Sequence, residues 1–99
     1  MPDRSTKKVK PLTSAQIRAS RGLLRWSAED LAREAALGLA TIKRAEAADY
    51  ETSMTTANDL AVRRALEVAG VEFIDENGGG PGVRLRKRHQ KRARPGEEN

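Results

Sequence analysis

The sequence predicts a mainly α fold, four helices followed by a C-terminal β-hairpin, and three observations carry that reading. Residues 16–46, QIRASRGLLRWSAEDLAREAALGLATIKRAE, fall into short stretches of helical periodicity, with a tight break at Ala36-Leu37-Gly38-Leu39. Residues 56–69 hold a further helical stretch that Gly70 closes. Beyond it, Val71 and Phe73 alternate with Glu72, and Val83 and Leu85 alternate with Arg84 and Arg86. The turn-rich DENGGGPG between them completes the hairpin pattern.

Residues 1–12 are polar and basic and read as a disordered arm. Thr13 or Ser14 caps a first helix reaching about Trp26, with Ile17 and Leu24 on one face. Ser27 caps the second helix, and Glu29 and Asp30 place negative charge at the positive end of its dipole. Leu31, Ala32, Ala35 and Ala36 form its buried stripe, with Trp26 packed beneath it. A helix that restarts at a steep angle needs small side chains where the two meet, and here those are Ala35 and Ala36. It also needs backbone freedom at the turn, which is expected from Gly38. The third helix runs from about Leu39 to Ala48, with Ile42 and Ala45 inward. After a polar loop at 49–55, Thr56 and Asp59 resemble a capping box opening the fourth helix. Its inner side is expected to carry Leu60, Ala61, Ala65, Val68 and Ala69. The organisation is therefore an arm (1–12), a helical domain (13–70), a hairpin (71–86) and a basic disordered tail (87–99).

With 99 residues the chain suits one domain with a modest core. Trp26, Tyr50 and Phe73 are the only aromatics, so packing rests on aliphatics and alanine, which favours a compact unit over a cavity for a small ligand. The absence of cysteine excludes disulfides and thiolate metal sites and is compatible with a reducing cytoplasm, the expected location. No apolar run is long enough for a membrane span or a signal peptide.

The net charge of +5 is concentrated at the ends. Arg4, Lys7, Lys8 and Lys10 face one acid, Asp3, and residues 83–94 carry seven basic side chains and no acid. Residues 11–82 are net acidic. Basic ends of this kind point to nucleic acid or another polyanion, against the plainer reading of a solubilising tail. No enzyme is expected. The run NGGGPG at 77–82 lacks the following helix and the Lys-Ser or Lys-Thr pair of a phosphate loop, and the single His89 sits in the basic tail. No cofactor or metal is implied.

The segment around the break resembles the phage-repressor-like, or XRE, helix-turn-helix family. The resemblance rests on an opening of Gln16, Ile17, Arg18, Arg21, Leu23, Leu24, Trp26 and Ser27, and on the ending GVEFIDENGGGPGVRLRK at 70–87. It implies a four-helix, lambda-repressor-like domain that binds double-stranded DNA and lays its third helix in the major groove. By register, Leu39, Ala40, Lys43 and Arg44 would reach base edges. Arg44 can bond guanine O6 and N7 bidentately, while Leu39 and Ala40 read thymine methyls or shape. Thr41, Ser27, Arg25 and the tail residues Lys87, Arg88, Lys91, Arg92 and Arg94 would hold phosphates.

The family's late arginine of the first helix and late glutamate of the third are Arg21 and Glu46, which would tie the two helices together. Two positions depart from the pattern. Ala28 stands where a phosphate-binding glutamine is frequent, and the third helix opens on Gly38, Leu39 and Ala40 rather than on polar readers. The implied function is sequence-specific transcriptional regulation, as a repressor, by a homodimer on an inverted repeat, with the hairpin as the pairing element. The alternative is a protein-interaction module, such as an antitoxin or a partner that sequesters another regulator.

Overall fold

A computed structural model describes residues 10–86. Its order is α1 (Ser14–Leu24), α2 (Ala28–Ala35), α3 (Leu39–Glu46), α4 (Thr56–Val68), β1 (Val71–Ile74) and β2 (Gly82–Leu85). The expected four helices and C-terminal hairpin are all present. Among the described residues no helix is long and apolar enough to cross a membrane.

Helix starts follow from side-chain capping. Thr13 accepts from the Gln16 amide at 3.0 Å while Gln16 Oε1 accepts from the Thr13 amide at 3.0 Å. Gln16 Nε2 donates to the Gly82 carbonyl at 3.1 Å, tying α1 to β2. Ser27 and Asp30 form the equivalent pair at the start of α2. The fourth helix departs from expectation. Thr55, not Thr56, is its cap, accepting from the Asn58 amide at 3.1 Å. Asp59 instead turns inward and accepts from the buried Leu12 amide at 3.1 Å.

Helix ends show a second departure. α1 and α2 each finish on a left-handed residue, Arg25 (φ 60°) and Ala36 (φ 57°). Behind each, an amide reaches back five residues: Trp26 to the Arg21 carbonyl and Leu37 to the Ala32 carbonyl. The turn between α2 and α3 therefore takes its freedom from Ala36, at a steric cost glycine would avoid. Gly38 is in extended backbone (φ −74°, ψ 149°) and heads α3 without a side-chain cap. Ala36 is exposed rather than part of the buried stripe, which is Leu31, Ala32 and Ala35.

The core is Leu12, Ile17, Leu31, Ala32, Ala35, Ile42, Ala45, Val62, Leu66 and Val71, with Leu24, Trp26, Leu39, Met54, Phe73 and Val83 packed against it. Leu12 is fully buried, so the core begins inside the stretch read as an arm. On α4 the inward residues are Asp59, Val62 and Leu66, while Leu60 and Val68 lie outside. The hairpin pairs Val71 with Leu85, Glu72 with Arg84, Phe73 with Val83 and Ile74 with Gly82. Its apolar face lies against α1 and α4 of the same chain. Glu72 and Arg84 on the other face form an ion pair at 2.8 Å. On the apolar face Val71 is buried and Phe73 and Val83 are half-buried, while Leu85 is 46% exposed.

Candidate nucleic-acid interface

The third helix is held from one side by two arginines of α1. Arg21 grips Glu46 with both arms of its guanidinium, Nε to Oε2 at 2.7 Å and Nη2 to Oε1 at 2.8 Å, and its Nη1 donates to the Trp26 carbonyl at 2.9 Å. The pair is largely enclosed, 24% and 11% exposed, and its hydrogen bond to Glu46 raises the Arg21 pKa above its ordinary value. Arg18 donates to the Glu46 carbonyl at 2.6 Å. The expected structural pair is therefore formed, and it is extended by Arg18, which the sequence placed in the opening motif without a role in this contact.

With the inner side of α3 fixed through Ile42, Ala45 and Glu46, helical spacing turns Ala40, Lys43 and Arg44 outward, and all three are exposed. Leu39 and Thr41 are half-buried, and Leu39 packs against the core. Of the expected base-reading positions, then, only Ala40, Lys43 and Arg44 are fully presented.

Counting partners separates the arginines. Arg18, Arg21, Arg33, Arg63, Arg84 and Arg86 all donate hydrogen bonds within the chain. Among the described residues, Arg25, Arg44 and Arg64 have no such partner, nor has Lys43. Arg25 caps the end of α1 just ahead of α2, and Lys43 and Arg44 lie on α3, so three side-chain cations without a hydrogen-bond partner fall at the α2–α3 unit.

The amino end of α2 is less suited to a phosphate than expected. The Asp30 carboxylate accepts from the Ser27 amide at 2.8 Å, and that bond leads the causes that hold its pKa low. An ionised carboxylate therefore already occupies the positive end of this dipole, and Ala28 offers no side-chain donor. Arg25, two residues before the cap, is exposed, and its side chain makes no hydrogen bond among the described residues.

A feature missed in the sequence lies on the other flank of α3. Thr41, Arg44, Ala45 and Ala48 form one wall of an open groove of about 430 Å³, and Thr52 through Thr55 with Asn58 form the other. The groove opens onto the amino end of α4, whose first turn carries no acid before Asp59. Four hydroxyl residues and an asparagine, interleaved with Ala45, Ala48 and Met54, surround the Arg44 guanidinium in a cationic concavity of mixed polarity. The only sequence sign of it was the density of Ser and Thr in 52–56.

Lys87, Arg88, Lys91, Arg92 and Arg94 lie outside the described residues. Their root, Arg86, is placed: its guanidinium donates to the Glu67 carbonyl at 3.0 and 3.2 Å, at the end of α4 away from the groove. Among the described residues, no group of three or more His, Cys, Asp or Glu could hold a metal ion. Searches with the whole chain find no matching protein-family model and no matching curated protein.

Proposed function

We propose that the chain is a double-stranded DNA-binding regulator of the XRE helix-turn-helix kind, with α3 as the helix that enters the major groove. The observation that carries this reading is that the side chains of Arg25, Lys43 and Arg44 at the helix-turn-helix unit have no hydrogen-bond partner, whereas most of the other arginines among the described residues are engaged within the chain. Arg44 reads a base, Lys43 and Ala40 flank it, and Arg25 holds a phosphate. The groove beside Arg44 receives the sugar-phosphate backbone, with Thr41, Ser53 and Asn58 as donors. One such unit covers only a few base pairs, so two copies on an inverted repeat are required for a selective site, and repression by occupancy is the simplest outcome.

The test begins by selecting duplexes from a random pool with the purified protein, then measuring affinity for selected and scrambled DNA across salt concentrations. Arg44→Ala should lose about 1–3 kcal/mol on the selected site and relax preference at one position per half-site. Removing residues 87–99 should weaken both duplexes alike and flatten the salt dependence. Failure to enrich any duplex would refute the reading.

Asp30 at the amino end of α2 and the apolar start of α3 favour the second reading, a module that binds another protein. Retention of a protein partner together with absent duplex enrichment would select it.

A further inference from the structure

Three donors on one face of α1 all reach the chain at the end of α3. Ser14, Arg18 and Arg21 follow one another at helical spacing. Arg21 takes the Glu46 carboxylate and Arg18 the Glu46 carbonyl, and Ser14 continues the row. Its hydroxyl donates to the Ala48 carbonyl at 2.9 Å, and its amide donates to the Tyr50 carbonyl at 2.8 Å. Ser14 is 2% exposed and is not part of the apolar core.

The segment that Ser14 holds joins the two walls of the groove beside Arg44. Ala48 ends one wall and Thr52 begins the other. The buried Thr52 donates its amide to the Leu12 carbonyl at 3.2 Å, and Thr13 bridges Glu51 in antiparallel pairing. Leu12 in turn donates to Asp59 Oδ1 on α4 at 3.1 Å. Residues 12–14 therefore clamp the connection between the walls, and Ser14 supplies the one side-chain bond from clamp to connection among the described residues. Past Thr52, Met54 packs on the core and donates its amide to Thr52 Oγ1 at 3.3 Å. Ser53, between them, takes left-handed backbone (φ 65°) and makes no hydrogen bond among the described residues.

We propose that Ser14 is a positioning residue for the DNA backbone, a role that rests on the DNA reading above. It touches no DNA itself, and it sets, through the Ala48 carbonyl and the connection to Thr52, where the Ser53 hydroxyl stands across the groove from Arg44. Without the serine hydroxyl, the half-buried Ala48 carbonyl recovers a hydrogen bond only by turning toward water. The peptide that turns belongs to one groove wall, and the short connection passes the shift to the other. A hydroxyl donating to a phosphate needs a separation of about 2.5–3.0 Å, so a small displacement of Ser53 loses the contact. No cation leaves the DNA in that event, and the number of released counterions stays the same.

The test compares full-length wild type, Ser14→Ala and Ser14→Cys on selected and scrambled duplexes at several salt concentrations, at a temperature where melts show each protein folded. Ser14→Ala should weaken binding to both duplexes about threefold to tenfold, the worth of one hydrogen bond, with the salt dependence unchanged. Ser14→Cys, whose thiol donates only weakly, should fall between. Ser53→Gly removes the proposed phosphate donor without backbone strain, and in that background Ser14→Ala should cost less than about twofold more. A serine that served folding alone would lose the same factor in both backgrounds. Without DNA, hydrogen exchange at the Thr52 amide should quicken about threefold or more in Ser14→Ala. Unchanged exchange at Thr52, or equal losses in the two backgrounds, would overturn the proposal. A wild-type protein that enriches no duplex removes the DNA reading and this role with it, whatever the exchange shows. An enriched duplex that Ser14→Ala binds as tightly as wild type removes this role alone.

Discussion

Arg21→Ala is expected to lower stability by about 2–3 kcal/mol, through the charge it leaves behind rather than through lost packing. The wild-type pair makes two short bonds between ionised groups, and a third bond ends on the Trp26 carbonyl. Without the guanidinium, the Glu46 carboxylate is left at 11% exposure with no cation hydrogen-bonded to it, since Arg18 reaches only the backbone carbonyl of that residue. Breaking a fully buried pair costs about 3–5 kcal/mol. Here the arginine is 24% exposed, so water can enter once it is removed, and the lower figure follows. For a domain of this size that is a drop of roughly 10–20 °C in the melting midpoint. Arg21→Lys keeps the charge but not the fork and should fall between the two. Arg21→Met with Glu46→Leu should return to within about 1 kcal/mol of wild type, since no unpaired charge remains. Circular dichroism melts of the four proteins decide the matter. A midpoint for Arg21→Ala within about 3 °C of wild type, or a double variant that loses the full sum of its singles, would refute the reasoning.

Asp59 gives a pH signature. Burial raises its pKa above the ordinary carboxylate value, opposed by the Leu12 amide and by Arg63. The folded state therefore holds its proton more tightly than the unfolded state, so this residue's contribution to stability is greatest in acid and falls as pH rises through the raised value. Asp59→Asn keeps an acceptor for Leu12 and should flatten that fall in denaturant titrations from about pH 3 to pH 7. An unchanged slope would show that the carboxylate is already well solvated. At the α2–α3 turn, Ala36→Gly should stabilise by about 1 kcal/mol by removing the left-handed penalty. Gly38→Ser should add about 0.5–1 kcal/mol, because extended backbone and open space admit a capping hydroxyl there. Destabilisation by either would mean that the turn relaxes into another geometry.

The elements were legible in the sequence because their signals are local. Thr13 with Gln16 and Ser27 with Asp30 sit three residues apart, and the caps form where those spacings put them. Gly70 ends the fourth helix and takes φ 115°. What failed was choice among equivalent local signals. Thr55 and Thr56 both precede an apolar helix, and the cap was decided by Asp59, which a partner 47 residues away draws inward. On α4 two apolar stripes compete, and periodicity cannot say which one the rest of the chain will cover. The turn was misassigned for a related reason. Glycine is the residue best suited to positive φ, but the hydrogen bonds closing α2 require it at Ala36, two residues earlier. Exposure of Lys43 and Arg44 followed from helix period alone, whereas the groove beside Arg44 depends on how the 52–55 segment packs and left only a trace in composition.

The disposition of arginines connects the fold to the proposed chemistry. Arg18 and Arg21 end on the same residue, Glu46, and so fix the carboxyl end of α3 by its carbonyl and its side chain together. The side chains of Lys43 and Arg44, on the outward side of the same helix, are left without hydrogen-bond partners among the described residues. A reading side chain gains selectivity only if the backbone carrying it is fixed, because a mobile helix lets one guanidinium satisfy several bases equally. The pair at Glu46 therefore bears on binding as well as on stability. In Arg21→Ala at a temperature where the protein remains folded, preference for the selected duplex should fall more than affinity for scrambled DNA, although Arg21 itself faces away from Arg44.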